Sequence, residues 1–382
     1  MPRTLCISVT VGFFLLACDL HNRPETDPAE LFERGVDLFE DRSYQQAETS
    51  LNQALEQFEK QKNGSQAARV LGYIGQIKLT QGQYRAALDR LQSAIDHSRS
   101  ANDYRAESQM NMYLGDVFLE MGEAVTASER YQGAHSYYTA FNDKKASADV
   151  ELRMARAAQR AGEWERALQL YERAYNYYGS SNDPAAKAEA LDGMGEIYAS
   201  QGRHPEALNS FTQALTALGS SGNTVLEARL KLHAGLSQSA MGNPNAALEQ
   251  LREAANALRS KRVARELESL ILFRIGTIYY YSGRSADAKR YYTEASSVAR
   301  AVGDKIADNY NALLIARCDE SMVQTEELEK TIEPLLQSYK SIAEAFNASG
   351  HRTGEAYAWA QAGRLHGVLG NLDRAHELYS KA

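Results

Sequence analysis

The chain has 382 residues, with 42 Lys and Arg against 49 Asp and Glu, a formal charge of −7. An acidic balance without any basic cluster argues against nucleic acid as a partner. The length exceeds that of a usual single globular core, a limit that a stack of repeated units escapes because each unit touches only its neighbours.

In chain order, Met1-Pro2-Arg3 precedes a mostly apolar run of 13 residues from Leu5 to Ala17. A basic start and a run this short read as a secretory signal, since a membrane-spanning helix needs about 20 residues. Leu15-Leu16-Ala17-Cys18 resembles a bacterial lipobox. The resemblance implies that residues 1–17 are removed, that Cys18 carries the lipid, and that the protein sits in the cell envelope, facing the periplasm or the exterior. Asp19 resembles the inner-membrane retention signal of enteric lipoproteins. Two or more acyl chains anchor stably, at about 0.8 kcal/mol per buried CH₂. The alternatives are an uncleaved hydrophobic anchor, or a misassigned start that leaves the protein cytoplasmic. Residues 18–28 are polar and carry Pro24 and Pro28, so they read as a lipidated tether. With Cys6 lost and Cys18 lipidated, Cys318 is the remaining thiol and no internal disulfide forms; among Leu313, Leu314 and Ile315 it reads as a core residue.

From Ala29 onward small residues recur every 40 positions: Gly35, Gly75, Gly115, Ala155, Gly195 and Gly235, then Gly276 after one extra residue. Twelve residues beyond each stands an alanine, from Ala47 to Ala288, and seven further another, from Ala54 to Ala295. The apolar spacing between them is helical, so each repeat is two helices. A small residue lets two backbones approach, and a bulky one four beyond the first alanine (Leu51, Leu91, Tyr131, Tyr171, Phe211, Leu251, Tyr292) fills the space beside it. Asn and Asp in the segments between repeats suit helix N-caps, and Pro184, Pro205 and Pro244 suit first turns.

The run Gly195, Tyr198, Gly202, Ala207, Phe211, Ala214 resembles the tetratricopeptide repeat, as does Gly276, Tyr279, Gly283, Ala288, Tyr292, Ala295. The unit of 40 residues is longer than the family's standard 34 and resembles the long repeats of kinesin light chains. The resemblance implies an all-α, right-handed superhelical solenoid of antiparallel helix pairs, about nine repeats over residues 29–382. The eighth repeat, 304–348, is degenerate. Its helices are expected over Asp304 to Met322 and Ile332 to Phe346, with an acidic insertion at 323–331. The ninth (Gly363, Gly370, Ala375, Tyr379) is truncated at Ala382, which suggests either end-to-end self-association, a covering partner or a further domain.

No phosphate-binding loop, nucleophile elbow, cysteine knuckle or His-Glu-x-x-His occurs, so neither an enzyme nor a cofactor is expected. Binding of a protein or peptide partner remains. The family's inner face, carried over, is formed by Asp116 and Glu120, then Arg153, Arg156 and Arg160, then Glu189, Asp192 and Glu196. Such rows either form a charged groove for an extended peptide or neutralise one another as ion pairs worth about 0 to 1 kcal/mol each. On the seventh repeat Phe273, Arg274, Thr277, Tyr280 and Tyr281 take the corresponding places, and aromatics with arginine are frequent hot-spot types. The family's Lys and Asn clamp for a peptide's terminal carboxylate is missing, its usual positions holding Phe32, Val36 and Tyr73. Three roles stay open: a lipid-anchored scaffold, a regulatory arm ahead of an effector such as a CHAT-type protease, and a cytosolic adaptor.

Overall fold

The computed structural model describes residues 27–219, 222–323 and 328–382. The expected signal over 1–17, the lipid site Cys18 and most of the tether lie outside the described residues. Among those described there are eighteen helices and no strand. They are α1 (Pro28–Glu40), α2 (Tyr44–Lys60), α3 (Gly64–Thr80), α4 (Tyr84–Ser100), α5 (Tyr104–Glu120) and α6 (Ala124–Ala140). Next come α7 (Lys144–Arg160), α8 (Trp164–Ser180), α9 (Pro184–Ser200), α10 (His204–Leu218), α11 (Thr224–Ala240) and α12 (Pro244–Lys261). The last six are α13 (Arg265–Tyr281), α14 (Ser285–Val302), α15 (Lys305–Met322), α16 (Leu328–Ala348), α17 (Arg352–Val368) and α18 (Leu372–Lys381).

The chain forms two compact units, the first ending at Ala167 and the second running from Leu168 to Ala382. From α1 to α7 in the first and from α9 to α18 in the second, each helix packs on the next, and first helices of neighbouring pairs also touch, as α1 does α3 and α13 does α15. This is the all-α stack of antiparallel helix pairs expected of a solenoid.

Short turns set the antiparallel course. In the α3–α4 turn Gly82 adopts φ +70°, and the N–H groups of Gly82 and Gln83 donate to the carbonyls of Leu79 and Lys78, both at 2.9 Å. A side chain is strained at that φ, so the turn favours glycine, although Arg42 takes the corresponding place between α1 and α2 at φ +60°. The turns between repeats place Lys62, Asn102 and Asn142 in the same left-handed region. The residue after each caps the following helix: the carboxylates of Asp103 and Asp143 accept from the N–H groups of Ala106 and Ala146, at 2.9 and 3.1 Å. Such caps stabilise a helix by about 1 kcal/mol.

The small residues are the holes of the core. A Cβ built on Gly35 falls 2.7 Å from Leu51, one on Gly75 2.7 Å from Leu91, and one on Gly276 2.8 Å from Tyr292. Leu51 and Leu91 are fully buried, and burial stabilises each such side chain by roughly 1.5–3 kcal/mol.

The degenerate repeat differs in its second helix. α15 spans the expected first helix with Asp304 as its cap, but α16 starts at Leu328, four residues before Ile332. Glu329 and Lys330 are good helix formers, and Pro334 in the next turn does not end the helix. Of the 323–331 segment, Val323 closes α15 and residues 324–327 lie outside the described residues. In α16, Leu335, Tyr339, Ala343 and Phe346 are buried at helical spacing.

Candidate functional site

The charged rows lie on the first helices of their pairs, on α5, α7 and α9. In the first unit, Arg153 Nε on α7 donates to both Asp116 carboxylate oxygens on α5, at 3.0 and 3.2 Å. The Tyr131 hydroxyl donates to the same carboxylate at 2.8 Å. Burial first, then the Asp116 charge, pushes the Tyr131 pKa up, and Arg156 opposes the shift. For Arg153 burial works against the charge, yet Asp116 outweighs it and the net direction is upward. Seven residues beyond Arg153, Arg160 donates to the Leu119 carbonyl at 2.9 Å and to Glu120 at 3.2 Å.

The second unit repeats the device. Asp192 on α9 is buried, at 4% exposure, which its acidic type did not foretell. Arg229 Nε donates to it at 3.1 Å, and His233 Nδ1 lies 2.7 Å from its other oxygen, both from α11. His233 Nε2 lies 3.6 Å from Glu196, and Arg229 reaches Glu189 at 4.0 Å. Burial alone lowers the imidazole pKa, but the hydrogen bond and charge of Asp192, with Glu196, raise it above 6.5. Seven of these eight charged side chains thus pair between first helices of neighbouring repeats, α5 with α7 or α9 with α11, and Arg156 is engaged as well.

Phe273, Arg274, Thr277, Tyr280 and Tyr281 behave differently: all five line one cavity of about 630 Å³ in the second unit. Arg317, Tyr310, Leu313 and Leu314 join them from α15, and Thr353, Ala356, Tyr357 and Ala360 from α17. Tyr292 and Ala382 complete the lining. The Tyr292 ring lies 5.7 Å from that of Phe273, and its hydroxyl donates to Thr277 Oγ1 at 3.2 Å. Burial pushes the Tyr292 hydroxyl up to about 12, so it stays protonated. Arg317 donates to the Tyr357 hydroxyl at 2.7 Å and lies 5.3 Å over the Tyr280 ring. Burial disfavours its charge, but Tyr357 and Tyr280 raise its pKa overall. Arg274 lies 5.7 Å over Phe273, with its Nε buried and unpartnered. Tyr281 is 82% exposed.

The contributions of α15 and α17 are absent from the sequence reading, because α15 belongs to the degenerate repeat and the insertion after it displaces α17 from the 40-residue period. With Ala316 set against Gly276, Leu313 falls at the place of Phe273 and Arg317 at that of Thr277, and this offset was the available signal. Cys318, next to the cavity wall, is buried in the core, and burial followed by the Asp319 charge pushes its thiol up to about 11. Among the described residues, no group of three His, Cys, Asp or Glu side chains can hold a metal, and no helix is long and apolar enough to cross a membrane.

No curated protein matches the chain significantly. Solved structures do. A signal-transduction ATPase with a tetratricopeptide repeat sensor, from Pyrococcus horikoshii, is 13% identical with TM-score 0.63, over 87% of this chain and 52% of that one. The apo quorum sensor NprR from B. thuringiensis is 14% identical with TM-score 0.62, over 84% and 87%. The Rap conjugation gene regulator of plasmid pLS20, in complex with the Phr* peptide, is 15% identical with TM-score 0.50, over 87% and 92%. At these identities the likeness is one of fold. Tetratricopeptide repeat profiles match residues 27–100, 146–220, 186–260 and 270–301, more than half of the sequence, and the chain belongs to the tetratricopeptide repeat family.

Proposed function

We propose that this chain is a non-catalytic binding protein that captures a protein or peptide partner in the aromatic cavity between α13, α15 and α17. The observation that carries this is the convergence of Phe273, Tyr280, Tyr310 and Tyr357 with two arginines on one concave surface, since rigid aromatics and arginine dominate binding hot spots. A Rap regulator of similar fold holds a peptide, which accords with the same use here. Phage display of random peptides tests it: the intact chain enriches sequences that a folded Phe273→Ala/Tyr280→Ala variant fails to retain. Equal retention by both moves the site elsewhere.

The lipobox-like Leu15-Leu16-Ala17-Cys18 places this binding at a bacterial envelope membrane in our reading, with the lipid on Cys18. In bacterial expression Cys18→Ser then shifts the protein from the membrane to the soluble fraction; an unchanged distribution removes the anchor from the proposal. A second reading, a sensory arm of a larger protein, draws support from the Pyrococcus ATPase, in which the repeats are described as a sensor. Sequencing the gene beyond the Ala382 codon tests it, and an in-frame effector is the expected result.

A further inference from the structure

The cavity has a pronounced charge bias. Two arginines line it and no aspartate or glutamate does. Elsewhere the arginines of the inner rows face carboxylates, as Arg153 does Asp116 and Arg229 does Asp192. Arg317 meets only hydroxyl and ring, and the buried Nε of Arg274 meets no acceptor among the described residues. Buried polar groups in folded proteins are almost always hydrogen-bonded, and the Arg274 side chain, which lines the cavity while its own buried Nε stays unsatisfied, is short of acceptors. Both guanidinium groups rest on aromatic rings, which hold them in place and shield them from water.

We infer that the cavity takes an acidic segment of a partner protein, in which an aspartate or glutamate side chain stands beside a bulky apolar residue. This rests on the cavity being the partner site proposed above. The planar fork of arginine matches a carboxylate through paired, charge-assisted hydrogen bonds. Phe273, Tyr310 and Leu313 supply the apolar wall for the neighbouring side chain. A lysine in the acidic position is rejected, because it would face two arginines with no aspartate or glutamate side chain in the lining.

Isothermal titration calorimetry of the Cys18→Ser chain with four short peptides tests the inference. Three are acetylated and amidated, Leu-Glu-Phe, Leu-Gln-Phe and Leu-Lys-Phe; the fourth is acetylated Leu-Gln-Phe with a free carboxyl terminus. The Glu peptide is expected to bind about tenfold more tightly than the Gln peptide, and the Lys peptide least of all. Arg274→Gln and Arg317→Gln each shrink the Glu to Gln ratio, whereas Tyr280→Ala weakens both peptides and leaves the ratio unchanged. Arg317→Lys, which keeps the charge but loses the fork, is expected to shrink the ratio less than Arg317→Gln does, and serves if the Gln variant fails to fold. Equal binding of the Glu and Gln peptides, with loss on Tyr280→Ala, overturns the acidic ligand and spares the cavity. A free-carboxyl Gln peptide that matches the Glu peptide overturns the side-chain assignment in favour of a chain terminus. Binding of none of the four, or binding unchanged by every variant, overturns both the ligand class and the site.

Discussion

Gly75→Ala isolates the packing rule that builds the repeats. The added Cβ would fall 2.7 Å from Leu91 Cγ and 2.8 Å from its Cδ2. Cγ sits only two bonds from the Leu91 backbone, so no terminal rotation relieves the contact and the helices must part or Leu91 must leave its rotamer. Such overpacking costs about 1–3 kcal/mol, against a gain of about 0.5–1 kcal/mol from replacing a helical glycine. The net expectation is a loss of about 1 kcal/mol. Gly133→Ala is the control, because that glycine is also inside a helix but its Cβ would meet nothing within 4 Å; it is expected to stabilise by about 0.5–1 kcal/mol. The Gly75→Ala/Leu91→Ala pair closes a double-mutant cycle: Leu91→Ala alone costs about 2–5 kcal/mol, and the Gly75 methyl then fills part of the cavity. Urea unfolding followed by far-ultraviolet circular dichroism, fitted with a nearest-neighbour repeat treatment, reads all four proteins. If Gly75→Ala raises the midpoint as much as Gly133→Ala does, the hole is not a close-packed one and the reasoning fails.

Asp116→Ala removes the acceptor of both Tyr131 and Arg153 and should cost about 2–3 kcal/mol, whereas Glu120→Ala, a more exposed pair with Arg160, should cost under about 1 kcal/mol; equal costs in urea unfolding would contradict this ranking. His233 is held above its ordinary 6.5 in the folded protein, so its contribution to stability is full below that value and disappears as the pH rises through the higher folded one. Thermal midpoints across pH 5 to 9 should therefore fall more steeply for the parent than for Asp192→Asn; parallel profiles would rule out the linkage. Cys318 is buried with its thiol pushed up to about 11, so in a chain with Cys6 and Cys18 replaced by Ser a thiol reagent at neutral pH should label it only after denaturant is added. Rapid labelling of the native chain would show that the α15 face opens.

The knob-and-hole pairs were legible because they are periodic: one rule, a small residue followed 16 positions later by a large one, recurs at Gly35 and Leu51 as at Gly276 and Tyr292. The cavity was half legible. Phe273, Arg274, Tyr280 and Tyr281 stand out on a single helix by type and spacing, whereas Tyr310 and Arg317 belong to the degenerate repeat and Tyr357 to a helix whose register the insertion displaces. The charged rows carried two meanings that residue types do not separate. An Arg153 aimed at solvent and one aimed at Asp116 occupy the same position in the pattern, and only the 3.0 Å contact distinguishes them.

The amino-acid sequence alone determined the helix pairs, their turns and which residues meet inside each pair, because these depend on local periodicity and on neighbours a fixed distance along the chain. Tertiary structure decided which polar groups find partners. Asp192 acquires Arg229 and His233 from a helix one repeat away, while the Arg274 Nε acquires none, and both outcomes depend on side-chain reach across packed helices. Partner choice is set at that range, where separations of a few ångströms divide an ion pair inside the fold from a donor left without an acceptor.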